Sequence, residues 1–272
     1  MGEKKLSKVQ YLILDVFEYI YKYLNEKNIP YYMLGGTLLG AVRHKGFIPW
    51  DDDIDIGIPR TQYEQFLKEI DSYLPEHIRL ETYSVSDEHH YYFSRVVDTR
   101  HSLRRKGSLK ERNENVWVDI FPLDGMPNNG FVRGIHKMRL LSTRALYHIS
   151  CFDKVNLKRP NRPFSERAVI KFVQVTHFGK HMSTRKKLDK LDRLLKKYPI
   201  EKSNYICNFM GQYKFREMFP KSWYGNGKLY DFEEYKLMGP EEYDRVLTQM
   251  YGDYMTPPKD ADKNAHAAEL NE

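Results

Sequence analysis

A chain of 272 residues with 41% hydrophobic content is long enough to bury a core, as one large domain or a domain carrying an insertion. Its formal net charge of +7 favours anionic partners, and no apolar run reaches the roughly 18 residues that cross a bilayer, which excludes a helical membrane-spanning protein. Two isolated cysteines, Cys151 and Cys207, provide neither a disulfide framework nor a Cys-x-x-Cys metal site.

The first predicted element is a helix, with Val9, Leu12, Ile13, Val16, Phe17, Ile20, Tyr21 and Leu24 at helical spacing and an end at Asn28, before Pro30. It follows Met-Gly-Glu-Lys-Lys, which lacks the apolar stretch of a signal peptide, so the expectation is a cytoplasmic protein. Next comes an apolar strand from Tyr31 that runs into Leu34-Gly35-Gly36-Thr37-Leu38-Leu39-Gly40, a glycine pair opening a helix. Glycine lets the backbone approach a ligand closely, and the free N–H groups of a helix start attract anions. A phosphate fits this description, although a glycine pair is more often an ordinary turn. Arg43, His44 and Lys45 follow, with Arg43 the best phosphate clamp among them because guanidinium binds two oxygens at once. The competing reading is a cationic helix end favoured by the helix dipole.

The stretch Phe47-Ile48-Pro49-Trp50-Asp51-Asp52-Asp53-Ile54-Asp55-Ile56 packs four carboxylates beside β-branched residues. Read as a strand, it sends Asp51, Asp53 and Asp55 to one face and Ile54, Ile56 and Ile58 to the other. Like charges about 4 Å apart repel by about 4 kcal/mol at an effective dielectric near 20, so a partly buried cluster calls for a divalent cation. Beyond it the pattern gives a helix over 59–74, strands over Ile78–Val85 and Tyr91–Val97 joined as a hairpin or through a loop, and a strand over Val116–Phe121 with one carboxylate, Asp119, inside it. A buried carboxylate is paired or ligating, so Asp119 is either a ligand or base, or the partner of a helix cap or an arginine.

Helices are expected over Phe131–Ile149 and Ser183–Tyr198, within a segment, 131–200, that holds 18 Lys and Arg against 4 Asp and Glu. This segment reads as a basic helical insertion between a catalytic core, 1–130, and a C-terminal part, 201–272, that completes the core and ends in a polar tail or short helix from about 259. The fold class is α/β (α+β).

The glycine-pair and acidic segments, together with Trp117-Val118-Asp119-Ile120-Phe121-Pro122-Leu123-Asp124-Gly125 and Tyr251-Gly252-Asp253-Tyr254-Met255-Thr256-Pro257-Pro258, resemble the signature of the LicD family of bacterial phosphocholine transferases, relatives of the fukutin-related proteins. The resemblance implies a nucleotidyltransferase-like mixed sheet flanked by helices, with Asp53, Asp55 and Asp119 as catalytic and metal-binding residues. Asp51 is a further candidate ligand, Mg²⁺ or Mn²⁺ the cofactor, and Gly35, Gly36, Thr37, Arg43, His44 and Lys45 the contacts to the donor phosphates. It implies transfer of phosphocholine from CDP-choline to a sugar hydroxyl of a cell-envelope glycan or its lipid-linked precursor, of teichoic acid or lipopolysaccharide type, at the inner face of the membrane. The basic segment would contact anionic lipid there, and nucleic acid is not an expected partner. Two other readings use the same residues: a nucleotidyltransferase moving a nucleoside monophosphate to a small molecule or RNA, and a non-catalytic basic protein that binds membranes or nucleic acid.

Overall fold

The structure, a computed structural model, describes residues 6–86, 89–105, 112–152, 164–176, 178, 179, 182–258 and 268–270. Helix α1 (Lys8–Glu26) opens with a reciprocal cap between Ser7 and Gln10, and its apolar stripe of Ile13, Val16, Phe17, Ile20 and Leu24 is fully buried. A short strand β1 (Tyr32–Met33) leads into α2 (Gly35–His44). Strand β2 (Asp55–Pro59) runs into α3 (Arg60–Glu69), extended by a single 3₁₀ turn over Ile70–Ser72. Strands β3 (Ile78–Glu81), β4 (Ser94–Arg105) and β5 (Arg112–Gly125) follow.

These strands form one mixed sheet in the order β1-β2-β5-β4. Only β2 and β5 run parallel, with Asp55 opposite Asp119; the other pairs are antiparallel. Strand β3 pairs with the first half of β4, as a hairpin reading of that region expects. The expected strand to Val85 stops at Glu81, because the backbone turns at Thr82, whose carbonyl accepts from the Val85 and Ser86 N–H groups. Helices α4 (Gly130–Ser150), α5 (Phe164–Thr176) and α6 (Thr184–Leu195) come next. Strands β6 (Tyr205–Cys207) and β7 (Met218–Pro220) then extend the far end of β5. A hairpin of β8 (Lys228–Phe232) and β9 (Tyr235–Gly239) and helix α7 (Tyr243–Tyr251) follow, both touching α2 or β1. Most of the expected polar tail from about 259, residues 259–267, 271 and 272, lies outside the described residues; within it Ala268–Leu270 form β10, which pairs with Leu103–Arg105 of β4. The mixed sheet flanked by helices is the α+β, nucleotidyltransferase-like architecture that the resemblance implies.

One local expectation is corrected. Residues 51–54 lie in an extended loop and β2 begins only at Asp55. The reason is parity: a strand through the whole acidic run would put Asp52 on the face of Ile54, Ile56 and Ile58, all completely buried, where an unpaired carboxylate is prohibitively costly.

Two apolar clusters fill the molecule. The larger lies between the sheet and α1, α2, α3 and α7; the smaller joins Leu140 and Tyr147 of α4 to Leu188, Leu191, Leu194 and Leu195 of α6 and to Phe209 and Met210. A buried polar knot ties α6 to the sheet. Arg60 at the start of α3 grips Asp124 at the end of β5 through Nε (2.7 Å) and an Nη (2.6 Å), and the same Nη donates to the Tyr92 hydroxyl, which in turn donates to Asp192 of α6 at 2.7 Å. Asp124 thus serves packing, where the sequence offered only its place in a motif.

Candidate active site

The first turn of α2 and the start of β2 are locked together. Leu34 N–H donates to the Asp55 carbonyl at 3.0 Å, and Asp55 N–H donates to Thr37 Oγ1 at 2.8 Å. Gly35 has φ +48°, a conformation that favours glycine, and a Cβ on it would touch Asp55 Oδ2 and the Tyr251 hydroxyl, each at 3.7 Å. At Gly36 a Cβ would stand 2.6 Å from Asp51 Oδ2, so the acidic loop reaches this position only because no side chain is there. The loop is held from behind by Gln10 of α1, whose side-chain amide donates to the Asp51 carbonyl at 2.9 Å. The glycine pair and the acids, read as two motifs, therefore form one place.

Within the loop, one carboxylate oxygen from each of Asp51, Asp52 and Asp53 lies within 4.8 Å of the others. Asp55 continues the cluster onto the sheet. Burial, then the charges of Asp53, Asp119, Asp51 and Glu217, hold its carboxyl well above the usual range. Burial likewise pushes Asp51 up, to about 8, with Asp53 and Asp52 adding to the effect. Clustered oxygen ligands that cannot all ionise unaided fit a hard divalent cation, and Asp51, Asp52, Asp53 and Asp55 are the residues that could hold one.

Asp119 has a second allegiance. The pairing register sets Glu81 of β3, Arg95 of β4, Asp119 of β5 and Asp55 of β2 side by side, and cross-strand neighbours project to the same face. Arg95 donates from Nε to Asp119 Oδ1 at 2.8 Å and from an Nη to Glu114 at 3.0 Å, with its guanidinium 4.1 Å from the Tyr91 ring centre and 4.4 Å from that of Trp117. An arginine partner was one of the readings open for Asp119, and it is present. Beyond Arg95 the row opens into a polar cavity of about 480 Å³ lined by Arg79, Glu81, His89, Glu114 and Asn115 among others.

Of the expected phosphate contacts, Gly35, Gly36 and Thr37 meet the acids. Arg43, His44 and Lys45 stand at the opposite end of α2, about 12 Å along the helix axis from Gly35 at 1.5 Å per residue. Arg43 donates to the His44 ring and to the Tyr254 carbonyl, both at 2.9 Å, and lies over the Trp50 ring. Lys45 is exposed in a left-handed cap, its carbonyl accepting from Glu233 beside the β8–β9 hairpin.

Two residues had no assigned role. Tyr251, the first residue of the C-terminal motif, lies in α7 and brings its hydroxyl to Gly35, as noted above. Glu217, in the 3₁₀ turn Lys214–Glu217 before β7, is buried and accepts from Asn208 Nδ2 (2.8 Å) and Tyr213 N–H (2.9 Å). Its charge reaches Asp55 and Tyr251. Only Gly211 could have hinted at it, since a Cβ there would collide with the Glu217 carboxylate.

Glu217 makes a pH prediction. Burial raises its pKa from 4.5 to about 7, so the folded state retains a proton that the unfolded chain has released between these values. Folding stability from this group is therefore highest below pH 4.5 and declines as pH rises to 7, by at most about 3 kcal/mol. Asp51 and Asp55 act in the same direction. Urea unfolding at pH 5, 6.5 and 8 should show the decline, and Glu217→Gln should flatten it; equal slopes in the two proteins would assign the effect elsewhere.

Comparison with known proteins adds the following. The family described as LicD/FKTN/FKRP, nucleotidyltransferase domain, matches residues 28–146. The lipopolysaccharide cholinephosphotransferase LicD of Haemophilus influenzae is 28% identical over 269 residues, 98% of this chain and 97% of its own. The ribitol 5-phosphate transferases FKRP of mouse and human are 33% and 35% identical over 117 residues, covering 43% of this chain and 21% of theirs.

Proposed function

We propose, from the match of residues 28–146 to the LicD/FKTN/FKRP nucleotidyltransferase domain and the likeness to LicD of Haemophilus influenzae along the chain, that this protein is a LicD-type phosphotransferase that carries phosphocholine from CDP-choline to a sugar hydroxyl of a cell-envelope glycan or its lipid-linked precursor. The observation that carries this reading is the meeting of Asp55 and Asp119, in register on parallel strands, with the glycine-opened end of α2. The relatives named above move phosphocholine or ribitol phosphate, and a diphosphate donor is the shared chemistry such a site suits.

Gly35 and Gly36 allow the donor diphosphate to approach the α2 backbone, whose first N–H groups would bind its oxygens. Asp51, Asp53 and Asp55 would hold Mg²⁺ or Mn²⁺, with Asp52 in reach. A bound divalent cation neutralises charge on the transferred group and the leaving nucleotide. Arg95 fixes one oxygen of Asp119, and in the proposed reaction the other oxygen completes the acidic site and faces the incoming hydroxyl. The polar cavity beyond Arg95 has the hydrogen-bonding character that a sugar acceptor requires. Arg43 and His44 would act at the outer end of the site, towards the nucleotide, rather than at the glycines.

The test is incubation with CDP-choline, CDP-glycerol, CDP-ribitol and nucleoside triphosphates, reading the released nucleotide. Release of CMP, fastest from CDP-choline, is the expected result. Preference for CDP-ribitol or CDP-glycerol would change the head group, and pyrophosphate release from a triphosphate would replace the reading with nucleotidyl transfer.

A further inference from the structure

Helix α4 carries two apolar faces where a surface helix needs one. His136, Leu140, Thr143 and Tyr147 are buried and face the α6 cluster. At 100° per residue, Phe131, Ile135 and Met138 fall on the opposite side. That side is open: Phe131 is 78% and Met138 71% exposed. In α5, Val169, Phe172 and Val175 repeat the pattern at a spacing of three, all exposed. Of thirteen large apolar side chains exposed among the described residues, nine lie between 131 and 178. An apolar surface so concentrated is a contact surface.

Charge identifies the contact. Helix α4 has not one carboxylate, and of its four cations Arg139 is exposed while Arg133 and Arg144 bond carbonyls of the body and Lys137 lies over the Phe215 ring; the segment 131–200 holds 18 basic residues to 4 acidic ones. Exposed Lys186, Lys190 and Arg193 of α6 extend the basic surface next to α4. A second copy of the chain would bring this charge against itself, whereas anionic headgroups over an acyl interior match both the charge and the apolar stripe. No described helix is long and apolar enough to cross a membrane. We infer that the outward face of α4 lies in the interface of an anionic bilayer, with Phe131, Ile135 and Met138 below the headgroups and the exposed Arg139, Lys186, Lys190 and Arg193 at their level.

This inference is independent of the transfer reaction. It differs from a purely electrostatic attachment through the α6 lysines, because the apolar residues should carry a component of binding that salt does not remove. The test is co-sedimentation of the full chain with vesicles of phosphatidylcholine and phosphatidylglycerol (7:3) and of phosphatidylcholine alone, at low and physiological salt. Phe131→Ser combined with Met138→Ser should weaken partitioning into the anionic vesicles at least tenfold at both salt concentrations. Lys186→Glu with Lys190→Glu should weaken it chiefly at low salt. In a separate variant, Phe131→Trp, fluorescence should be quenched by brominated acyl chains, a readout that does not depend on a destabilising change. Unaltered partitioning of the double serine variant, absent quenching at Trp, or a wild-type dimer dissociated by the serine changes would overturn the inference, the last in favour of a second copy.

Discussion

Asp55→Asn is expected to lower turnover about a thousandfold or more while raising the melting temperature of the cation-free protein. The rate loss follows from position: Asp55 is the carboxylate nearest to Gly35, bonded through its backbone to Thr37 and in register with Asp119. In the proposed reaction it holds the cation that offsets developing charge, and losing a single preorganised electrostatic contact costs 10²–10³, roughly, in other enzymes. The gain in stability follows from repulsion. Burial and four neighbouring carboxylates disfavour the ionised form of Asp55, and an amide of the same shape removes that conflict. Rate and melting temperature should move in opposite directions. A variant that loses both would mark Asp55 as a structural residue, and one that keeps its rate would remove it from the chemistry.

The opposite pattern is expected at Arg60→Met. Asp124 is buried, and Arg60 supplies two charge-assisted hydrogen bonds to it and one to Tyr92. Removing the cation leaves a buried carboxylate unpaired, which costs about 3–5 kcal/mol. For a chain of this size that is a fall of about 10 °C in melting temperature, at 2–4 °C per kcal/mol. The double variant Arg60→Met, Asp124→Leu should recover much of the loss, because apolar groups of similar volume replace the pair. Thermal melts of the two proteins decide it: a single variant that melts within 2 °C or so of wild type would show the knot to be energetically idle.

Much of this was legible in the chain because it is local. Helical spacing located α1, α3, α4 and α6 within a few residues, and the glycine pair and acids announce themselves over 21 consecutive positions, from Gly35 to Asp55. The strand assigned to Asp51–Asp53 failed because alternation looks alike in a loop and in a strand; only the burial of Ile54, Ile56 and Ile58 shows that Asp52 could not share their face. Arg95 and Glu217 could not be read at all, and Tyr251 only as the start of a motif whose place in the fold stayed open. They reach the site through strand register, the 3₁₀ turn before β7 and α7, and such long-range placement leaves no trace in neighbouring residues. Charge was read too uniformly. Arg144 donates to the Phe209 and Gly211 carbonyls and Arg133 to those of Pro127 and Asn128, so part of the basic segment fastens α4 to the body instead of meeting a partner.

The central claim is that the acids gathered around Gly35 and Gly36 perform cation-dependent phosphoryl transfer. It is tested most directly by ³¹P NMR of CDP-choline incubated with the protein and a glycan acceptor, in Mg²⁺ or Mn²⁺ and again after EDTA. The account predicts CMP and a new phosphodiester in the presence of the cation and neither in EDTA, with Asp55→Asn silent in both. Transfer that continues in EDTA, or in Asp55→Asn, would contradict it.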